Sequence, residues 1–293
     1  MKKLLVIADK TGGKNIALAR AANLQAATGA KIILRGYCYV NIHNPEDLKL
    51  AKLSRSQLEK QVVAKRQQEL EKIAKQLKIK PKNIDIKAVW GKDISQAITT
   101  LCNKHKIDMV IKSAHRSETF LYTSTDWQLL RTCAPPVMIT ASKSWKKKPR
   151  IVASLDFSTK LKAKIALNHK VFKHAQELAE ALGQEVHIAH AITMPQALID
   201  MDIINAKDYI SKRRKEIKLV SDAFCKEYGL DTSCVHLKAG PADKVIPSIA
   251  NKLKADVVVT GTVARKGIKG KLMGNTVEGI LSRLHTDIIA IKP

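Results

Sequence analysis

A chain of 293 residues can form two ordinary domains, each able to bury its own core without disulfides or a structural metal. An apolar fraction of 45% with few aromatics fits a globular protein, and no apolar run approaches the roughly 20 residues needed to span a bilayer, which excludes a membrane-spanning chain. The formal net charge of +26 keeps nucleic acid, anionic surfaces and phosphorylated ligands in play as partners. That charge is spread over both halves rather than gathered in one stripe with aromatics, as solvated lysine-rich helix faces would have it.

Taken in order, the chain opens on a strand near 3–8. Met1-Lys2-Lys3 and the apolar residues after it imitate an export signal. Asp9 and Lys10 end that run short of the roughly 7–15 residues an export signal needs, so a cytoplasmic location is expected. Lys10-Thr11-Gly12-Gly13-Lys14-Asn15 follows the strand as a phosphate loop would. It lacks the first glycine, and Asn15 takes the place of the Mg²⁺-binding Ser or Thr, so it reads as a turn into the first helix. Further strands are expected near 31–38, 84–90, 107–112 and 136–140. A long helix between the second and third carries Leu58, Val62, Leu70, Ile73 and Leu77 along one face.

Ser142 to Pro149 is a polar, proline-ended linker, placing the domains at 1–142 and 149–293. Beyond it, strands are expected near 150–155, 185–191, 232–238, 256–260 and 287–291. The long helix of this half carries Ile210, Ile217, Val220, Phe224 and Tyr228. The halves are copies. Lys3 to Asp9 recurs as Arg150 to Asp156, Gly91 as Gly240, and Asp108 to Ile111 as Asp256 to Val259, all at a steady spacing of about 148 residues. The strand runs are short, β-branched and nearly continuous, as in strands covered on both faces. Alternation with helices then imposes right-handed crossovers. The expected fold class is α/β: two tandem doubly wound domains, each with a five-stranded parallel sheet.

Cys38, Cys102, Cys133, Cys225 and Cys234 stand singly, which is neither a disulfide framework nor a zinc site; most of them read as small buried apolar residues. His187 and His190 are three apart in a strand and point to opposite faces, so no shared metal is expected there or elsewhere.

Ligands of doubly wound sheets bind beyond the carboxyl ends of the strands, where strand order reverses. In the second half that end carries Asp156 after the first strand and, after the fourth, a loop from Gly261 through Ala264, Arg265, Lys266, Lys269 and Lys271 to Gly274-Asn275-Thr276. Glycines allow close approach of an anion, and a helix starting after Thr276 would offer free N–H groups. Asn275 and Thr276 are equally good as plain caps. Lysines and arginines, with Arg283 downstream, add the charge a phosphate needs.

These residues resemble the universal stress protein family. Its pattern after the fourth strand is glycine, two residues, glycine, nine residues, then glycine and Ser or Thr. Gly261, the gap from Arg265 to Met273, and Gly274 fall in register with it, and Asp156 matches an acidic residue closing the first strand. Thr125 to Cys133 and Gly274-Asn275-Thr276 are similar to the tandem, E-type subgroup, and the resemblance covers essentially the whole chain. It implies the adenine nucleotide alpha hydrolase-like fold and ATP, with Mg²⁺, held at Asp156, Gly261, Ala264, Gly274, Asn275 and Thr276. Two departures stand against it: Ala264 replaces the second glycine and Asn275 the small hydroxyl residue. The matching loop of the first half, Ser113 to Thr123, has no glycine and is shorter.

The expected function is that of a non-catalytic stress-response protein, with ATP or another phosphorylated ligand in the second domain. Two alternatives remain: a weak ATPase, for which Asp156 is the visible metal-binding candidate, or a polyanion binder acting on nucleic acid through charge. Family members pair through their last strands, so the resemblance implies a monomer that is its own pseudo-dimer, or a homodimer.

Overall fold

The computed structural model describes residues 1–41, 52–114, 124–262, 279–280, 283 and 286–293. The chain divides into two compact units, Met1–Ser142 and Lys143–Pro293. The first runs β1 (Lys3–Ile7), α1 (Ile16–Thr28), β2 (Lys31–Cys38), α2 (Arg55–Gln76), β3 (Ile84–Trp90), α3 (Ile94–Lys104), β4 (Met109–Ser113), α4 (Ser124–Thr132) and β5 (Val137–Thr140). Its strands lie in the order β3-β2-β1-β4-β5, and every pair is parallel. The second unit runs β6 (Ile151–Ser154), α5 (Lys162–Leu182), β7 (Val186–Ile192), α6 (Gln196–Asp200), α7 (Ala206–Tyr228), β8 (Val235–Ala239), α8 (Ala242–Lys252), β9 (Val257–Gly261) and β10 (Asp287–Ile291). Its order is β8-β7-β6-β9-β10, again all parallel. Both units therefore reverse direction beside their first strand, as a doubly wound sheet does.

Hydrophobic burial explains the strand positions. Leu4, Leu5, Val6, Ile32, Leu34, Val110 and Ile111 are wholly buried, as are Ile151, Val152, Ala153, Ile188 and Val257 to Val259. Helix ends follow local chemistry. Ser54 and Gln57 form a reciprocal capping box before α2, and Asn205 caps α7 through the amides of Lys207 and Asp208. Gly183 and Gly229, at φ 62 and 65, close α5 and α7 in the left-handed conformation.

Four expectations need correction. The strand expected from 232 starts at Val235, because Asp231 accepts from the Ser233 amide and turns Thr232–Cys234 into a 3-10 helix. On α2 the buried residues are Arg66, Leu70 and Ala74, whereas Leu58, Val62, Ile73 and Leu77 are only half-buried. On α7 the buried stripe is Ile217, Ser221, Phe224 and Cys225, which turns Val220 outward at 49% exposure. Only Cys133 and Cys225 among the cysteines are buried; the other three are half-buried, and none of the five is in a disulfide.

The segment read as a polar linker is docked on the second unit. The Trp145 indole N–H donates to Asp287 at 2.7 Å, and Lys146 Nζ donates to the Lys254 carbonyl at 2.5 Å while standing 3.6 Å from the buried Asp256 carboxylate.

Candidate functional site

Beyond β6 the chain reaches Leu155 and Asp156, and Asn168 on α5 grips the turn from both sides. Its Nδ2 donates to the Asp156 carbonyl at 2.8 Å, and its Oδ1 accepts from the Asp156 amide at 3.0 Å. Asp156 Oδ1 accepts from the Ser158 amide at 3.1 Å and the Ser158 hydroxyl at 2.5 Å, a local Asx turn that fixes the carboxylate. This turn forms one wall of a cavity of about 430 Å³ at the ends of β6, β7 and β9, where strand order reverses. Ser154, Asp156, Ser158, Lys164, Asn168, His190, Thr193 and Thr260 give it polar groups; Leu155, Leu167, Val171, Ala191, Ala242, Ile246 and Ile280 give it an apolar lining.

Of the sequence-derived site residues, Asp156 and Gly261 both line this cavity. A Cβ on Gly261 would stand 2.7 Å from Leu167 Cδ2, so the position holds glycine for close helix packing whatever else it contacts. Ala264, Gly274, Asn275 and Thr276 lie outside the described residues, as do Arg265, Lys266, Lys269 and Lys271. Arg283 is described, and its guanidinium is tied to the Asp243 carboxylate and the Gly279 carbonyl rather than left for a phosphate.

Sequence reasoning weighed His190 only as a metal ligand and did not place it at this site. It is 1% exposed, its Nδ1 lies 3.0 Å from the Leu155 carbonyl oxygen, and its Nε2 has no partner among the described residues. Burial pushes its pKa below the ordinary histidine value, so the ring is neutral at neutral pH. The one available signal was that His190, unlike His187 near the strand's start, sits toward its carboxyl end, where ligands of such sheets bind.

The first unit builds the same place differently. Arg66, 3% exposed, donates through Nη2 to the carbonyl of Asp9, the counterpart of Asp156, and through Nη1 to Glu69 at 2.6 Å. Glu69 in turn accepts from the Gly12 amide at 3.1 Å, and Arg66 with Gly12 holds its carboxyl below the usual range against the upward push of burial. At the end of β4, Lys112 and Asp126 form a buried ion pair at 2.5 Å, and Ser113 Oγ accepts from the Ala17 amide at the start of α1.

A second concavity of the second unit, about 660 Å³, lies along β8 and carries Arg214, Lys218, Lys238 and Lys252. Three of these cations have partners in place: Arg214 on the Leu237 carbonyl, Lys218 on Asp222 and Lys238 on Ser248. Among the described residues no group of three or more His, Cys, Asp or Glu side chains is placed to hold a metal, and no helix is long and apolar enough to cross a membrane.

Comparison with known proteins agrees with this geometry. The Universal stress protein family profile matches residues 1–141 and again 166–292. Universal stress protein E of Escherichia coli K12 is 30% identical over 298 residues, covering all of this chain and 94% of its own length. The Universal stress protein E homolog of Haemophilus influenzae is 27% identical over 303 residues, covering 100% and 97%. Among solved structures, a universal stress protein from Archaeoglobus fulgidus superposes with a TM-score of 0.68 at 15% identity, covering 99% of this chain and 98% of that one.

Proposed function

The chain belongs to the universal stress protein family, with that domain present twice, and from this premise we propose that it is a non-catalytic stress-response protein whose second unit binds a phosphorylated nucleoside, ATP foremost. The observation that carries the reading is the 430 Å³ cavity at the strand-order reversal of the second unit, with Asp156 on its wall. The residues fit the nucleoside end of such a ligand: apolar side chains to cover a ring, and Asp156 and His190 to meet its hydroxyl or amino groups. Among the described lining residues Lys164 is the cation available to a phosphate. Asp156 is the one carboxylate of the described lining, too few for a metal cage, and any Mg²⁺ would arrive on the phosphates.

The test is native mass spectrometry of freshly purified protein, then thermal shift with ATP, ADP and AMP, with and without Mg²⁺. A ligand at a hundredfold excess over Kd stabilises by about 2.7 kcal/mol, a readily measured shift. Thr193→Trp, at the exposed mouth of the cavity, should abolish that shift while leaving the unliganded melting temperature in place. Phosphate release should not exceed that of Asp156→Asn. No stabilisation by any adenine nucleotide, or a full shift in Thr193→Trp, rejects the proposal.

A further inference from the structure

The two units can be matched residue by residue through their strand registers. Leu4 pairs with Ile32 in the first unit, and its counterpart Ile151 pairs with Val186 in the second. Four residues further along, Gly36 therefore corresponds to His190. A Cβ on Gly36 would stand 2.6 Å from Leu70 and 3.0 Å from Arg66 Nε. Side chains of α2 thus fill, in the first unit, the space into which the second unit sends an imidazole. Arg66 there donates to the Asp9 carbonyl, whereas in the second unit the neighbouring carbonyl, Leu155, stands 3.0 Å from Nδ1 of the histidine ring.

We propose that His190 is a ligand-binding residue of the second unit, whose Nε2 accepts a hydrogen bond from a hydroxyl or amino group on the ring portion of the bound molecule. The inference rests on the cavity being a ligand site, as argued above, and adds which chemistry the site demands. Nδ1 lies 3.0 Å from the Leu155 oxygen, to which it would donate, and 3.3 Å from the Phe157 amide N–H, from which it would accept; one ring nitrogen cannot do both. The shorter approach, to an oxygen that needs a donor, puts the proton on Nδ1 and leaves Nε2 a bare acceptor. Phe157 packs beside the ring at a centroid distance of 5.8 Å and holds its orientation. Nε2 is buried, has no partner among the described residues, and belongs to a side chain lining the cavity. A buried acceptor left unmade is costly, and so is a ligand that presents no donor to it. With Asp156 on the same wall, also an acceptor, the site favours a ring bearing donors over one bearing only carbonyls.

The experiment uses the full chain labelled with ¹⁵N-histidine and titrated with AMP and ATP. The expected free-state spectrum shows His190 neutral with the proton on Nδ1, and the Nε2 resonance moves upfield as the nucleotide binds. Two further probes are 2′,3′-dideoxyadenosine monophosphate, lacking the ribose hydroxyls, and purine riboside monophosphate, lacking the amino group. One of them should bind about tenfold more weakly than AMP to the native chain, and no more weakly than AMP to His190→Phe. His190→Gln, which keeps an acceptor, should recover part of the loss. Nucleotide binding with an unmoved Nε2, equal affinity in a folded His190→Phe, or a proton on Nε2 in the free protein overturns the inference alone. If His190→Phe does not fold, the native spectrum and His190→Gln decide. Failure of every probe with Nε2 unmoved overturns both this inference and the nucleotide reading beneath it.

Discussion

At Gly261 the backbone passes so close to α5 that an added Cβ would lie 2.7 Å from Leu167 Cδ2 and 2.9 Å from its Cγ. Leu167 is itself buried, and yielding would push it into the cavity that it lines. A glycine that in sequence matched a ligand-loop pattern is thus required first by helix-on-strand packing. Gly261→Ala should cost about 1–3 kcal/mol in urea unfolding through overpacking. In a Leu167→Ala background the same substitution should cost close to nothing, since the colliding methyls are gone. Equal costs in both backgrounds would contradict the packing account. Asp156 shows the same double duty: one oxygen serves the Ser158 turn while the residue lines the cavity.

Between elements, the first unit joins β4 to α4 by the Lys112–Asp126 pair, with side chains only 7% and 0% exposed. Removing Lys112 takes away the ion-pair partner of a buried carboxylate, so Lys112→Met should destabilise the first unit by about 3–5 kcal/mol. Lys112→Met with Asp126→Leu should recover most of that loss, and calorimetry of the three variants would show it; a double variant no better than the single one would refute the assignment. This pair also marks what the sequence could not tell. Strands were legible because Leu4 to Ile7 or Val257 to Val259 are unbroken apolar runs that only a covered sheet explains. Lys112 and Arg66 break such patterns, and a lysine within a strand or an arginine on a helix reads as solvent-facing until its carboxylate partner, distant in sequence or hidden by a turn, is in view. His190 failed for the same reason: its meaning lies in a carbonyl 35 residues away. Helix faces were read too broadly, since Ser221 occupies the stripe that hydrophobicity assigned to Val220.

As a whole, the chain is a duplication whose copies have diverged in charge as well as shape: the first unit sets Arg66 against the Asp9 carbonyl and buries a Lys112–Asp126 pair, and the second sets His190 on the wall of a cavity. Three histidines of the second unit, His187, His190 and His236, have pKa values held below 6.5, each chiefly by burial. His187 and His236 stand 3.3 Å apart on β7 and β8, so protonating both would set like charges side by side. Because the folded state binds these protons more weakly than the unfolded chain, stability rises with pH through this range. The contribution is fully present above the ordinary histidine value of about 6.5 and is lost as pH falls below it toward the lowered folded-state values. The second unit should therefore melt at a lower temperature at pH 5.5 than at pH 7.5, at fixed ionic strength. Replacing His187 and His236 together by Gln should flatten that dependence, and His190→Gln should flatten it further. A melting temperature indifferent to pH across this interval, or a slope unchanged in the triple variant, would show that these rings do not resist protonation in the folded protein. The neutral acceptor at His190 would then also have to be given up.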